Sequence, residues 1–140
     1  MRQVQRALRG EVFDLVTEAL LSDASGDPER FAAALAALCA LYSRQEALGA
    51  PEPALTEALA DYTDDAAEAV ALYRVAIAQS APYADEPTHT KRICLASRLI
   101  ELGDMTAARL ELIQGRADAE RLKDAEYVEL ADKLLAQLVI

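Results

Sequence analysis

Residues 95–113, LASRLIELGDMTAARLELI, decide how the rest of the chain is read. Leu95, Leu99 and Leu102 recur at helical spacing, Gly103 interrupts them, and Asp104 opens a second run carrying Ala107, Ala108, Leu112 and Ile113. Gly103 suits the position just past a helix end, where the backbone turns left-handed and a Cβ would clash. Asp104 is placed to cap the next helix by accepting a hydrogen bond from one of its free N–H groups. The stretch therefore predicts a helical hairpin.

Working outward, the same grammar repeats. Val4, Leu8, Val12, Leu15, Ala19 and Leu20 mark the stripe of a first helix, which SDASGDP at 22–28 ends. Arg2, Arg6 and Arg9 near its start oppose the helix dipole, so they either fray into solvent or meet acids from elsewhere in the fold. Asp27, Pro28 and Glu29 read as cap, first helical residue and favourable acid of a second helix with Phe31, Leu35, Leu38 and Tyr42 on its core face. Gly49, Pro51 and Pro53 precede a short third helix around Leu55–Tyr62, and Thr63 or Asp64 caps a fourth that Pro82 ends. Thr88 caps the fifth, which runs through Ile93 and Leu99 to Leu102. The sixth runs from Met105 to about Arg116. The seventh spans about Arg121–Leu138, with Leu122, Ala125, Val128, Ala131, Leu135 and Leu138 on one side and charged residues on the other.

Composition agrees with helix. Of the 140 residues 53% are hydrophobic, mostly Ala and Leu, while aromatics are 5% and Trp is absent, which is the wrong balance for a sheet protein. The length suits one domain, residues 1–140. No apolar run is long enough to cross a bilayer, and MRQVQRALRGEVFDLV meets Glu11 and Asp14 before any signal-like core develops. A soluble, cytoplasmic protein is the expectation. Cys39 and Cys94 each lie in an apolar helical run, so they are expected as buried thiols rather than a disulfide or metal site.

The pattern Leu95-Ala96-x-x-Leu99-x-x-Leu102-Gly103-Asp104, followed after three residues by Ala108, resembles the tetratricopeptide repeat, whose helix-turn-helix units stack into a protein-binding solenoid. Ala69, Tyr73, Ala76 and Ile77, with Pro82 beyond, resemble the second helix of another unit. Ala69 and Ala108 lie 39 residues apart rather than the usual 34 or so, and PYADEPTH at 82–89 absorbs the excess. Gly115 stands where the family has alanine. The resemblance covers about residues 66–116 and implies an all-α fold: about seven helices in antiparallel hairpins, forming a right-handed stack. It also implies that the first helix of each hairpin lines a concave surface.

The formal charge is −10 and uneven. Residues 1–10 carry three arginines and no acid, residues 11–86 hold fifteen acids against three arginines, and residues 87–140 are nearly balanced. An acidic middle repels phosphates and favours a basic protein partner if the acids share a face; otherwise it is a solvated surface. Lys91, Arg92, Arg98, Arg109, Arg116, Arg121 and Lys123 are interspersed with acids and not interleaved with aromatics, so ion pairing is expected of them rather than a nucleic-acid groove.

Catalytic signatures are sparse. His89 is the only histidine; a base role beside Asp85 or Glu86 competes with capping or a surface position, and no nucleophile motif accompanies it. Five glycines form no phosphate-binding loop, and Asp61, Asp64, Asp65 and Glu68 lack the spacing of a calcium loop, so no cofactor or metal is expected. The reading is a non-catalytic protein-binding module, within it a small acidic inhibitor or immunity protein for a basic protein such as a toxin. The alternatives are a self-associating structural protein and, more distantly, an enzyme using His89. The expected partner surface comprises Asp61, Tyr62, Asp64, Asp65, Tyr83 and Asp85, together with Ile93, Ser97, Ile100 and Glu101 of the fifth helix. No nucleic acid or membrane partner is expected; a homo-oligomer is compatible.

Overall fold

The computed structural model describes residues 3–138, with side chains from Arg6 onward; Arg2 and the Val4 side chain, both assigned above to the first helix, lie outside these. Seven helices and no strand occur among the described residues: α1 (Gln3–Ala24), α2 (Pro28–Ala47), α3 (Pro53–Asp61), α4 (Ala66–Ser80), α5 (His89–Glu101), α6 (Met105–Arg121) and α7 (Ala125–Gln137). None is long and apolar enough to cross a membrane.

One turn device recurs. Gly103 has φ +81°, its N–H donates to the Ile100 carbonyl, and the Asp104 N–H donates back to Leu99, which closes the end of α5 in a Schellman motif. Asp104 then caps α6 through the Ala107 N–H. Gly26–Asp27 repeats the device between α1 and α2. So does Lys123–Asp124 between α6 and α7, where Lys123 takes φ +60° without being glycine. Because no glycine marks that turn, the boundary expected near Arg116 is displaced: α6 continues to Arg121, α7 begins only at Ala125, and Leu122 sits exposed in the turn.

Other caps also differ from expectation. Asp65, rather than Thr63 or Asp64, caps α4 by accepting from the Glu68 N–H, while the Thr63 hydroxyl donates back to the Leu59 carbonyl. Thr88 precedes α5 without a side-chain capping bond, its φ and ψ being already nearly helical. Glu52 takes the cap position of α3, accepting from Ala54, and Pro53 fills its first turn.

Helices adjacent in the chain make the largest contacts, α1 with α2, α3 with α4, α4 with α5, α5 with α6 and α6 with α7; α3 also touches α1, and α7 touches α5. Two apolar clusters result. Leu8, Val12, Leu38, Leu41, Leu55 and Ala58 form the smaller. The larger is built on Tyr73, Ile93, Leu95, Leu99 and Leu112, with small residues such as Ala69, Ala108, Ala119 and Ala131 at the helix crossings. Ala69, Tyr73 and Ala76 are buried as their spacing required, but Leu20, Leu102 and Ile113, expected in the stripes, are each at least half exposed. They sit at helix ends or one position off the buried arc, which periodicity alone does not resolve. Cys39 is exposed on α2 rather than buried, and Cys94 is half-buried; both are free thiols.

Candidate functional site

The N-terminal parts of α3 and α5 are tied together by charge. Lys91 of α5 is completely buried, and its ammonium lies 3.1 Å from Glu86, 3.3 Å from Glu57 and 2.8 Å from the Pro87 carbonyl. Glu86, itself buried, also pairs with Arg9 of α1, whose Nε donates to Glu52 at 3.0 Å. The Thr90 hydroxyl completes the link by donating to Glu57 at 2.7 Å. The network explains one arginine at the α1 start, since Arg9 meets acids from elsewhere. It also absorbs Lys91. Arg92 pairs with Glu111, Arg116 with Asp132 and Glu120, and Arg121 with Asp118, so these cations serve ion pairs as anticipated.

His89 is not at the surface. It is 5% exposed, its Nε2 is 2.8 Å from an Asp124 oxygen, and its ring stands edge-on to Tyr127 at 5.6 Å. Its hydrogen bond holds the Asp124 carboxyl below the usual carboxylate range. Asp124 at the same time caps α7, so the single histidine locks the first turn of α5 to the first turn of α7. Its position in sequence, at a loop–helix junction, gave no sign of this burial.

Beyond that lock, a cavity of about 180 Å³ opens between α3, α5 and α7, with Tyr73 of α4 in its wall. Tyr73, Ile93, Cys94 and Leu134 form its deeper wall, and Asp61, Ser97, Arg98 and Leu130 its rim. Arg98 is held across the rim: its guanidinium donates to the Thr63 carbonyl at 2.7 Å and to Glu101 at 3.2 Å. Asp61 has no ion-pair partner within 4.0 Å among the described residues; its carboxyl accepts the Tyr73 hydroxyl proton at 2.5 Å. Although the residue as a whole is exposed, the carboxyl is crowded by the cavity wall, and this desolvation pushes it up to about 6 despite the Tyr73 bond. The same crowding pushes the Cys94 thiol up to about 12, which leaves it protonated and a poor nucleophile near neutrality. Burial also raises the Tyr73 and Tyr127 hydroxyls above the usual phenol range.

Of the residues expected at a partner surface, Asp61 and Ser97 come together on this rim, with Glu101 beside them through Arg98. Asp64 is exposed in the preceding turn, where its carbonyl faces Arg98. Ile93 belongs to the deeper wall of the same cavity, and the others lie elsewhere. Ile93 is fully buried, with its side chain against Gly115 of α6, and Ile100 is half-buried against the core, so neither is an exposed anchor. Tyr62 packs edge-on against Phe31 at 5.8 Å, Asp65 is the α4 cap, and Tyr83 is half-buried in the α4–α5 connection. Asp85 lines a separate cavity of about 360 Å³ with His89, Asp118 and Arg121. Sequence reasoning missed Tyr73, Cys94 and Arg98 as groove residues. Tyr73 and Cys94 read as core and Arg98 as an ion-pairing base, and only the packing of α3, α4 and α7 around α5 brings them to one opening.

A pH-dependent stability follows from Asp61. Its folded pKa is raised, so the folded state binds the proton more tightly than the unfolded chain; the resulting stabilisation is complete below about pH 4 and is lost as pH rises through about 6. The full shift corresponds to about 3 kcal/mol, which exposure to solvent cuts to about 1 kcal/mol. Asp61→Asn keeps an acceptor for Tyr73 and removes the charge. It is expected to melt about 3–5 °C above the wild type at pH 7.5 and level with it near pH 4. A difference in melting temperature that stays constant across this range overturns the assignment.

No protein-family description, curated protein or solved structure matches this chain in comparisons of sequence and fold.

Proposed function

We propose that this chain is a non-catalytic protein-binding module built of tetratricopeptide-like helix pairs, and that the α3–α5–α7 groove receives a basic side chain of its partner. The observation that carries this reading is Asp61: a carboxylate on the rim of an apolar-walled opening with no cation within 4.0 Å among the described residues, on which Lys91 and Arg98 act only from farther away, and whose ionisation is held back by its surroundings. A lysine or arginine entering there supplies a direct ion pair in place of these longer-range charges. The helix-pair reading draws support from contacts along α1 and α2. Arg30 meets Glu18 and Arg44 faces Glu11, so the second helix retraces the first in the opposite sense. Buried Ala69, Ala76 and Ala108 at the crossings are consistent with closely packed pairs of this kind. Within this class we place it as a small acidic inhibitor of a basic protein, of the immunity-protein sort, because the net charge of −10 steers a cationic partner toward it.

The test is kinetic. Partners captured from the native host on immobilised full-length protein are expected to be basic. Their association rate should fall severalfold as salt rises to about 0.15 M, where charges more than about 8 Å apart are screened. Replacing Asp61, Asp64 and Asp65 together by Asn should slow association more than it speeds dissociation; Asn at 65 retains the α4 cap. Affinity should also strengthen as pH rises through 6 and lose that dependence in Asp61→Asn. An acidic partner, or kinetics indifferent to both salt and these substitutions, excludes the groove as the interface.

A further inference from the structure

A second open surface, using none of the groove residues, lies between α1 and α2. It is a cavity of about 570 Å³ whose lining includes Leu15 of α1 and Ala37, Ala40 and Leu41 of α2. Exposed Ala33, Ala36 and Ala40 continue it along α2, whereas the helix at the other end of the chain, α7, exposes Glu126, Glu129, Asp132 and Lys133. The charges flanking the cavity are sorted by helix. Glu11, Asp14 and Glu18 recur at i, i+3 and i+7 along the α1 edge, and Arg30 and Arg44 lie along the α2 edge, each facing the acid opposite, Glu18 at 2.8 Å and Glu11 at 3.8 Å.

We propose that this face closes on the same face of a second copy of the chain, giving a four-helix bundle about a two-fold axis that runs along the groove. Such an axis keeps each residue at its own height and exchanges the two edges, so α1 of one copy lies over α2 of the other. The acidic edge of each chain then meets the basic edge of its partner, with Arg44 at the level of Glu11 and Asp14 and Arg30 at the level of Glu18. Each helix meets a neighbour of opposite sense, the up-and-down arrangement of four-helix bundles, and the alanines let the axes approach closely. Because Arg30 and Arg44 already meet Glu18 and Glu11 within one chain, the face offers ordered pairs rather than one sign of charge, and a second copy sets each pair against its reverse whereas a partner of uniform charge does not. Two helices about 30 Å long and about 10 Å wide offer about 600 Å² per copy, or about 1,200 Å² in total, the lower edge of stable specific interfaces. The dimer is therefore weak and concentration-dependent.

Light scattering and sedimentation on the full chain test it. The mass should rise from 15.1 kDa toward about twice that between about 10 μM and about 1 mM, the range in which a small interface dissociates. Ala40→Glu, at an exposed helical position, should weaken association at least tenfold while leaving the helical circular dichroism unchanged. Two further variants fix the geometry: Arg30→Glu/Arg44→Glu, with both edges acidic, and Glu11→Lys/Asp14→Lys/Glu18→Lys, with both edges basic. Each should be monomeric alone, and an equimolar mixture should dimerise. A wild type that stays monomeric at about 1 mM, an Ala40→Glu dimer as strong as the wild type, or a mixture that remains monomeric overturns the proposal.

Discussion

Lys91→Met is expected to lower the melting temperature by roughly 10–20 °C. The Lys91 side chain is entirely shielded from water, and its ammonium lies between Glu86 and Glu57, two carboxylates on different segments of the chain. Removing the cation strips Glu57 of its counterion and leaves Glu86 with Arg9 alone, in a poorly hydrated setting, a change that costs about 3–5 kcal/mol when a buried pair is broken from one side. In a chain of this length each 1 kcal/mol moves the midpoint by about 3–5 °C. Methionine preserves most of the stem volume, so the loss is electrostatic rather than a cavity. The added substitution Glu86→Gln should return part of the loss, because it removes one of the two carboxylates that shared Lys91, and Arg9, which gives up its pair with Glu86, keeps Glu52. A Lys91→Met protein that melts within about 2 °C of the wild type would show that the network contributes little. The network also joins α1, α3 and α5, so its loss should loosen α1 first, visible as faster hydrogen exchange there than in α6.

The second large effect is expected at Gly115. A Cβ built there falls 2.8 Å from Ile93 Cγ1 and 3.4 Å from Arg92 Cβ, so α6 and α5 approach too closely for a side chain. Gly115→Ala recovers about 1 kcal/mol of helix propensity yet meets an overpacking cost of about 1–3 kcal/mol, for a net loss. Gly115→Val adds two methyls at the same point and should cost about 3 kcal/mol or more, lowering the midpoint by about 10 °C. The cause is checked by a cycle with Ile93→Ala: the double substitution Ile93→Ala/Gly115→Ala should lose less than the sum of the singles, since the clashing atom is gone. Additive losses, or a Gly115→Ala protein more stable than the wild type, would show that the helices move apart at little cost.

The all-helical character, the number of helices and most of their ends were legible in the residues themselves, for a local reason. Apolar spacing, Asp caps and glycines at left-handed turns act within a few residues, and Asp27, Gly103 and Asp104 do in the structure what their positions required. The same local logic failed at Lys123, where a non-glycine residue takes the left-handed turn and shifts two helix ends. What lay beyond local reach was the fate of polar residues. Lys91, Glu52 and Glu86 look like ordinary surface charges until α1, α3 and α5 are brought together, and His89 looks like a loop residue until Asp124 arrives from 35 positions away. The expected partner surface was divided in the same way: Ile93 is fully buried, in the wall of the groove and against Gly115 of α6, whereas Asp61 gains Tyr73 and an opening floored by Cys94. A helix's periodicity says which arc is apolar, but which neighbour covers that arc, and which charges are thereby stripped of water and forced to pair, depends on packing between segments distant in the chain, and that only the tertiary structure decided.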